Sequence, residues 1–244
     1  MYRERPSGLP GVTLWRSEPS GARVGGTHVL PDGCTDLIRH ADGFLVAGPD
    51  TTSQFSDLAT RQPLTAVRFE PGVGPRFFGV DASELTDRRV PLDGLWSSRR
   101  VRLLAGRAEH DPVGALIGAV REAVDEHDPM ADLARALAAG TAVTELAANL
   151  GWSDRTLRRR SVRAYGYGPK MLSRVLRFRR AVARARAGDD FSRVAAECGY
   201  SDQAHLAREV RALSGVTLGE LVRRHPGSAA NRSRVWPSGS STLA

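Results

Sequence analysis

Ten residues in the second half of this chain occur twice. Glu145-Leu-Ala-Ala-Asn-Leu-Gly-Trp-Ser-Asp154 returns 48 residues later as Arg193-Val-Ala-Ala-Glu-Cys-Gly-Tyr-Ser-Asp202. Five positions are identical: Ala147/Ala195, Ala148/Ala196, Gly151/Gly199, Ser153/Ser201 and Asp154/Asp202. Three more match in size or class: Leu146/Val194, Leu150/Cys198 and Trp152/Tyr200. Each copy reads as helix, tight turn, helix. A small residue lets two helices cross closely, and glycine tolerates the positive φ of a tight turn. An apolar residue then plugs the core, and a serine starts the next helix. The fold must therefore carry two similar helical hairpins on one scaffold.

The surrounding text extends this pattern. Residues 133–139 read as a helix ended by Gly140, and Thr141 is expected to cap the helix 142–150. Ser153 caps a helix over 154–165 that stops at Gly166. Pro169 opens a long helix to about Ala187, a residue before Gly188. Helices over 191–198, 202–214 and 218–224 complete an all-helical region. The long helix would span roughly 28 Å at ~1.5 Å per residue, against about 34 Å for one turn of B-DNA. It could therefore place two recognition helices in successive major grooves. The second helix of each hairpin is polar outside. With Leu157 inward, Arg155, Arg158 and Arg159 share the outer face. With Leu206, Val210 and Leu213 inward, Gln203, His205 and Arg208 do.

Charge divides in the same way. Residues 1–131 hold 15 arginines against 18 carboxylates, while residues 132–225 hold 18 basic residues against nine carboxylates. The basic excess lies in the segment with the repeat, which points to a polyanionic partner for that segment. Arginine pairs with guanine edges and glutamine with adenine, and a helix N-terminus suits a phosphate.

The first half reads differently. Short strands are expected near Val12, over 27–30, 35–40, 44–47 and 64–69, separated by Pro31-Asp-Gly33, Ala41-Asp-Gly43 and Pro71-Gly72 turns. One helical turn is expected at 81–85. From Val90 the period becomes helical, and Asp111-Pro112 opens a stripe of Val113, Leu116, Ile117, Val120 and Val124. The expected fold class is α+β: a small antiparallel β-barrel or cupin-like domain with flanking helices over 1–128, then an all-α domain over 129–225. A disordered tail is expected over 226–244.

Residues 130–224 resemble the DNA-binding domain of AraC/XylS-type transcriptional regulators. The two repeats carry the resemblance, with Gly166-Tyr-Gly-Pro-Lys170, the long helix, Gly199-Tyr-Ser-Asp-Gln203 and Gly215-Val-Thr-Leu-Gly-Glu220. It implies promoter DNA as partner, base reading by Arg155, Arg158, Arg159, Gln203, His205 and Arg208, and phosphate contacts from Ser153, Ser201, Lys170 and Arg163. Arg160-Ser161 stands where such proteins usually have an apolar pair with a large aromatic, and Val162 is the expected substitute. The stretches His28–Ile38, Ala47–Asp50 and Arg68–Gly72 through Leu95-Trp96 resemble a β-rich domain of unknown role found ahead of such DNA-binding domains. The resemblance leaves open a small effector, a homodimer and, for an activator, RNA polymerase as further partners.

His28 and His40 are too few for a cupin metal site, so neither metal nor cofactor is expected. Cys34 raises an alternative, a cysteine-dependent alkyl-transfer DNA repair or sensor protein, but a thiol beside Asp32 and Asp36 is poorly activated. A nonspecific architectural DNA-binding protein is a third reading. The chain has no P-loop, Gly-x-Ser-x-Gly, His-Glu-x-x-His or Rossmann glycine motif, so no catalytic residues are assigned. No apolar run approaches a membrane span, and Met1–Pro6 precedes no apolar core, so a cytoplasmic protein without a leader is expected.

Overall fold

The structure, a computed structural model, describes residues 2–19, 27–121, 123 and 128–223. Val124, Glu126 and the 226–244 segment lie outside the described residues.

Among the described residues of the first half there are eight strands: β1 (Tyr2–Pro6), β2 (Val12–Ser17), β3 (Thr27–Val29), β4 (Thr35–His40), β5 (Gly43–Ala47), β6 (Gln54–Ser56), β7 (Leu64–Phe69) and β8 (Arg89–Pro91). Six form an antiparallel sheet in the order β1-β2-β7-β4-β5-β8, and β3 pairs with β6. Among the described residues β1 and β8 do not pair with each other, so the sheet stays open where a barrel was expected. The edges explain this. β1 carries Arg3, Glu4, Arg5 and Pro6, and β8 is three residues long and ends in proline. Charges, proline and brevity all discourage further strand pairing.

Alternation gives the sheet two buried faces. Leu14 and Leu37 both pair with Val67 on one face, under Phe77, Phe78, Trp96, Leu104 and Leu116. These come from α2 (Gly74–Phe78), α3 (Ser98–His110), α4 (Pro112–Arg121) and the loop before α3, while α1 (Leu58–Arg61) lies between β6 and β7. Trp15, Ile38 and Ala66 form the other face. There Asp36 Oδ1 accepts from Trp15 Nε1 at 2.7 Å and from Arg68 Nε at 3.0 Å. Arg68 also lies 3.4 Å from Glu4 and 3.5 Å from Asp32, so its burial is offset by surrounding carboxylates.

Seven helices follow among the described residues: α5 (Pro129–Ala139), α6 (Val143–Asn149), α7 (Asp154–Tyr165), α8 (Pro169–Arg186), α9 (Phe191–Glu197), α10 (Gln203–Ser214) and α11 (Leu218–Arg223). Helix α8 packs against α5, α6 and α7 on one side of the repeat and α9, α10 and α11 on the other. The two sides have separate apolar cores, which share Met171 at their margins.

Two caps differ from expectation. Ala142, not Thr141, precedes α6, and it makes no side-chain cap bond. Thr141 belongs to the end of α5: its N–H donates to Ala136 O at 3.0 Å, beside Gly140 N to Leu137 O at 3.1 Å, a closure that Gly140 in the left-handed region permits. Ser201 does not cap α10. That helix starts one residue later, and Asp202 Oδ1 accepts from His205 N at 2.6 Å.

The first half docks on the helical half. Leu30 enters the core of α8–α11, and Ser53 N donates to Leu213 O at 2.8 Å. Thr86 Oγ1 donates to Gly166 O at 3.1 Å. A 3-10 turn, Ala82–Glu84, lies against α7.

Candidate nucleic-acid interface

Both repeats fold into the same turn. Trp152 N donates to Ala147 O at 3.0 Å, and Tyr200 N donates to Ala195 O at 2.9 Å. Gly151 sits at φ 60° and Gly199 at φ 76°, where an L side chain would be strained. Ala147 and Ala195, the small crossing residues, are buried. The repeat in sequence is thus a repeat in backbone geometry.

The plugs differ. Tyr200 is buried in the second core, whereas Trp152 is half-buried and covered by Arg160, whose guanidinium lies 4.3 Å from the ring centroid. This accounts for arginine at that position: it roofs the tryptophan. Ser161 is fully buried, and its Oγ meets no hydrogen-bond partner among the described residues. The aromatic of this helix is Tyr165, which fills the first core and donates from its hydroxyl to Met130 O. Val162, the expected substitute, is instead half-buried in a groove facing the 3-10 turn.

On α7, Arg155, Arg158 and Arg159 are exposed, and Leu157 is buried. Ser153 caps this helix, its Oγ accepting from Thr156 N at 3.3 Å. On α10, Gln203 and Arg208 are exposed above buried Leu206, Val210 and Leu213. His205 is half-buried and engaged: its Nδ1 lies 3.1 Å from Ser201 Oγ, and its ring meets Tyr200 edge-on at 5.2 Å. Of the three α10 residues expected to read bases, Gln203 and Arg208 are therefore the exposed ones. Lys170 is exposed at the start of α8.

Glu209 braces α10 against α8. It accepts from Arg174 Nε at 2.9 Å, and this bond holds its carboxyl below the usual glutamate range.

Arg163 is already paired. Its Nε lies 3.1 Å from both carboxylate oxygens of Asp81. Asp81 and Ser83 form one wall of a groove of about 430 Å³; Arg155, Arg158, Arg159, Val162 and Arg163 form the other. A carboxylate of the first half thus stands where a phosphate could sit, and no sequence signal joins residues 82 positions apart. Both partners are substantially exposed, so the pair is worth at most about 1 kcal/mol. Asp81→Ala is expected to raise DNA affinity by no more than about fivefold. If Arg163 then takes a phosphate, the slope of log affinity against log salt steepens by about 1. Anisotropy titrations over a salt series measure both, and an unchanged slope would remove Arg163 from the phosphate contacts.

The two helical hairpins on one linker helix define a tandem helix-turn-helix protein. Residues 146–224 match a helix-turn-helix domain family of AraC type, and residues 13–91 match a domain of unknown function, DUF6597. The chain carries an AraC-type DNA-binding domain behind a DUF6597 domain, the plan of a DNA-binding transcriptional regulator. No curated protein matches it. Among solved structures, ToxT from Vibrio cholerae O395 aligns at 9% identity and TM-score 0.46, covering 88% of this chain and 98% of its own. ToxT from the same strain bound to (E)-4-(8-methylnaphthalen-1-yl)but-3-enoic acid aligns at 8% identity and TM-score 0.47, covering 91% and 98%. No described helix is long and apolar enough to cross a membrane.

Proposed function

We propose that this chain is a cytoplasmic, sequence-specific regulator that reads promoter DNA with α7 and α10. The observation that carries this is the doubled turn: two equivalent backbone bonds, each followed by a helix with an exposed polar face. Arg155, Arg158 and Arg159 read or anchor through α7, while Gln203 and Arg208 read through α10. Ser153 and Lys170 face phosphates. His205 and Ser201 shape the start of α10 through their mutual contact. A small effector, homodimerisation and contact with RNA polymerase belong to the same proposal and would act through the docked first half.

The chain is further proposed to be no enzyme. Cys34 is buried, and burial pushes its thiol well above the ordinary cysteine value, with Asp32 adding to the rise. A thiol held protonated is a poor alkyl acceptor. A methyl adduct on Cys34 after challenge with alkylated DNA would reverse this.

DNA-affinity sequencing of the whole genome is expected to return a two-part motif. Binding without sequence preference in competition at fixed salt would leave an architectural role instead. Arg208→Ala is expected to cost about 1–3 kcal/mol of specific binding and to relax preference at one position. An unchanged sequence logo would take Arg208 off the base-reading face.

A further inference from the structure

Four arginines run along one side of α8: Arg174, Arg177, Arg180 and Arg184. Three of them bond within the second helix-turn-helix unit. Arg174 meets Glu209, and Arg177 Nη1 donates to Gly199 O at 3.3 Å. Arg184 meets Asp189 and Glu197. Arg180 differs. Its Nη1 donates to Ala138 O at 3.1 Å, in the last turn of α5, and its Nη2 donates to Cys198 O at 3.0 Å, at the end of α9. Ala138 packs at the edge of the first core, and Cys198 is buried in the second.

Both carbonyls lie at helix C-termini, where main-chain oxygens lack intrahelical donors and the dipole is negative. One planar guanidinium satisfies an acceptor from each unit at once. A guanidinium fork can do this; an ammonium is a point donor without that fixed geometry. The two apolar cores are separate and meet at their margins through Met171, so little buried apolar packing joins them directly. Besides α8 itself, Met171 and the docked first half, which touches both units, this bridge is a side-chain link that joins main chain of one unit to main chain of the other.

We infer that Arg180 is a positioning residue that sets the angle between the two units, and thereby the spacing of half-sites the protein accepts on DNA. The inference rests on the proposed two-unit reading of DNA. It would act through orientation: Arg180 lies on α8 and not on α7 or α10, Nη1 and Nη2 both donate to main-chain carbonyls, and Nε is buried without a partner among the described residues. Two linked sites gain affinity over either alone only when both can be engaged at once. A loosened angle therefore lowers the gain at the preferred spacing and spreads it over neighbouring spacings.

The test uses full-length wild type, Arg180→Lys and Arg180→Gln. Each is bound to isolated half-sites and to paired half-sites with the spacer varied one base pair at a time. Thermal melts accompany each protein. Single half-site affinities are expected to stay within about threefold of wild type, while the paired site at the preferred spacing loses about tenfold. Spacers one or two base pairs away gain relative to it. Wild-type spacing and affinity in both variants would overturn the inference. So would an equal loss at every half-site with a lowered melt, or failure of both variants to fold, since Arg180 would then be a support for the domain and nothing more. If wild type itself shows no paired site, the two-unit reading of DNA has failed. That outcome is separate, because it appears before any variant is compared.

Discussion

Alanine at position 48 is expected to destabilise the first half of the chain by about 3 kcal/mol or more. A Cβ on Gly48 would stand 1.8 Å from Leu85 O and 2.5 Å from Leu85 C. Both are backbone atoms, so no side-chain rotation relieves the clash. The two segments are also bonded, Gly48 N donating to Arg88 O at 3.0 Å. Separating them would move the Ala82–Glu84 turn and Thr86, which hold α7 and Gly166. Urea unfolding followed by tryptophan fluorescence should show an earlier transition, because Trp15 and Trp96 lie in the two faces of this sheet. A wild-type midpoint would mean that the close approach is not needed.

Leu206→Ala is expected to cost about 2–5 kcal/mol, the usual range for emptying a buried leucine site. Leu206 is 1% exposed and lies on the buried side of α10, opposite exposed Gln203 and Arg208. Separate cores confine the damage: the second unit should lose its half-site while the first keeps its own. Footprinting on the paired site should show protection shrinking to one half. Simultaneous loss of both halves would show that the two units fold as one.

Helix placement in the second half was legible because its signals are local. Gly140, Gly166, Gly199 and Gly215 punctuate a 3.6-residue pattern, and they occur at positive φ where the helices end or turn. Leu206, Val210 and Leu213 are buried as their spacing requires. The open sheet was less legible, because strand pattern alone does not say whether the last edge meets the first. β1 leaves little trace in the sequence for a related reason. Its residues Tyr2–Pro6 are mostly charged, and an edge strand needs little burial to pair.

The candidate site divides along the same line. Its residue types, its paired turns and the outward faces of α7 and α10 follow from the repeat and from helical periodicity, since both act over a few residues. The burial of Cys34, the half-buried position of His205 against Tyr200, and the roofing of Trp152 by Arg160 depend on what packs nearby. Contacts across the chain had no local trace at all. Asp81 meets Arg163, and Arg180 joins Ala138 to Cys198, only because the fold brings distant segments within hydrogen-bond reach. The sequence by itself determined that there are two helix-turn-helix units and what side chains their second helices present. The tertiary structure decided which of those side chains stay free and at what angle the two helices are held, because free donors and rigid angles are properties of packing between segments.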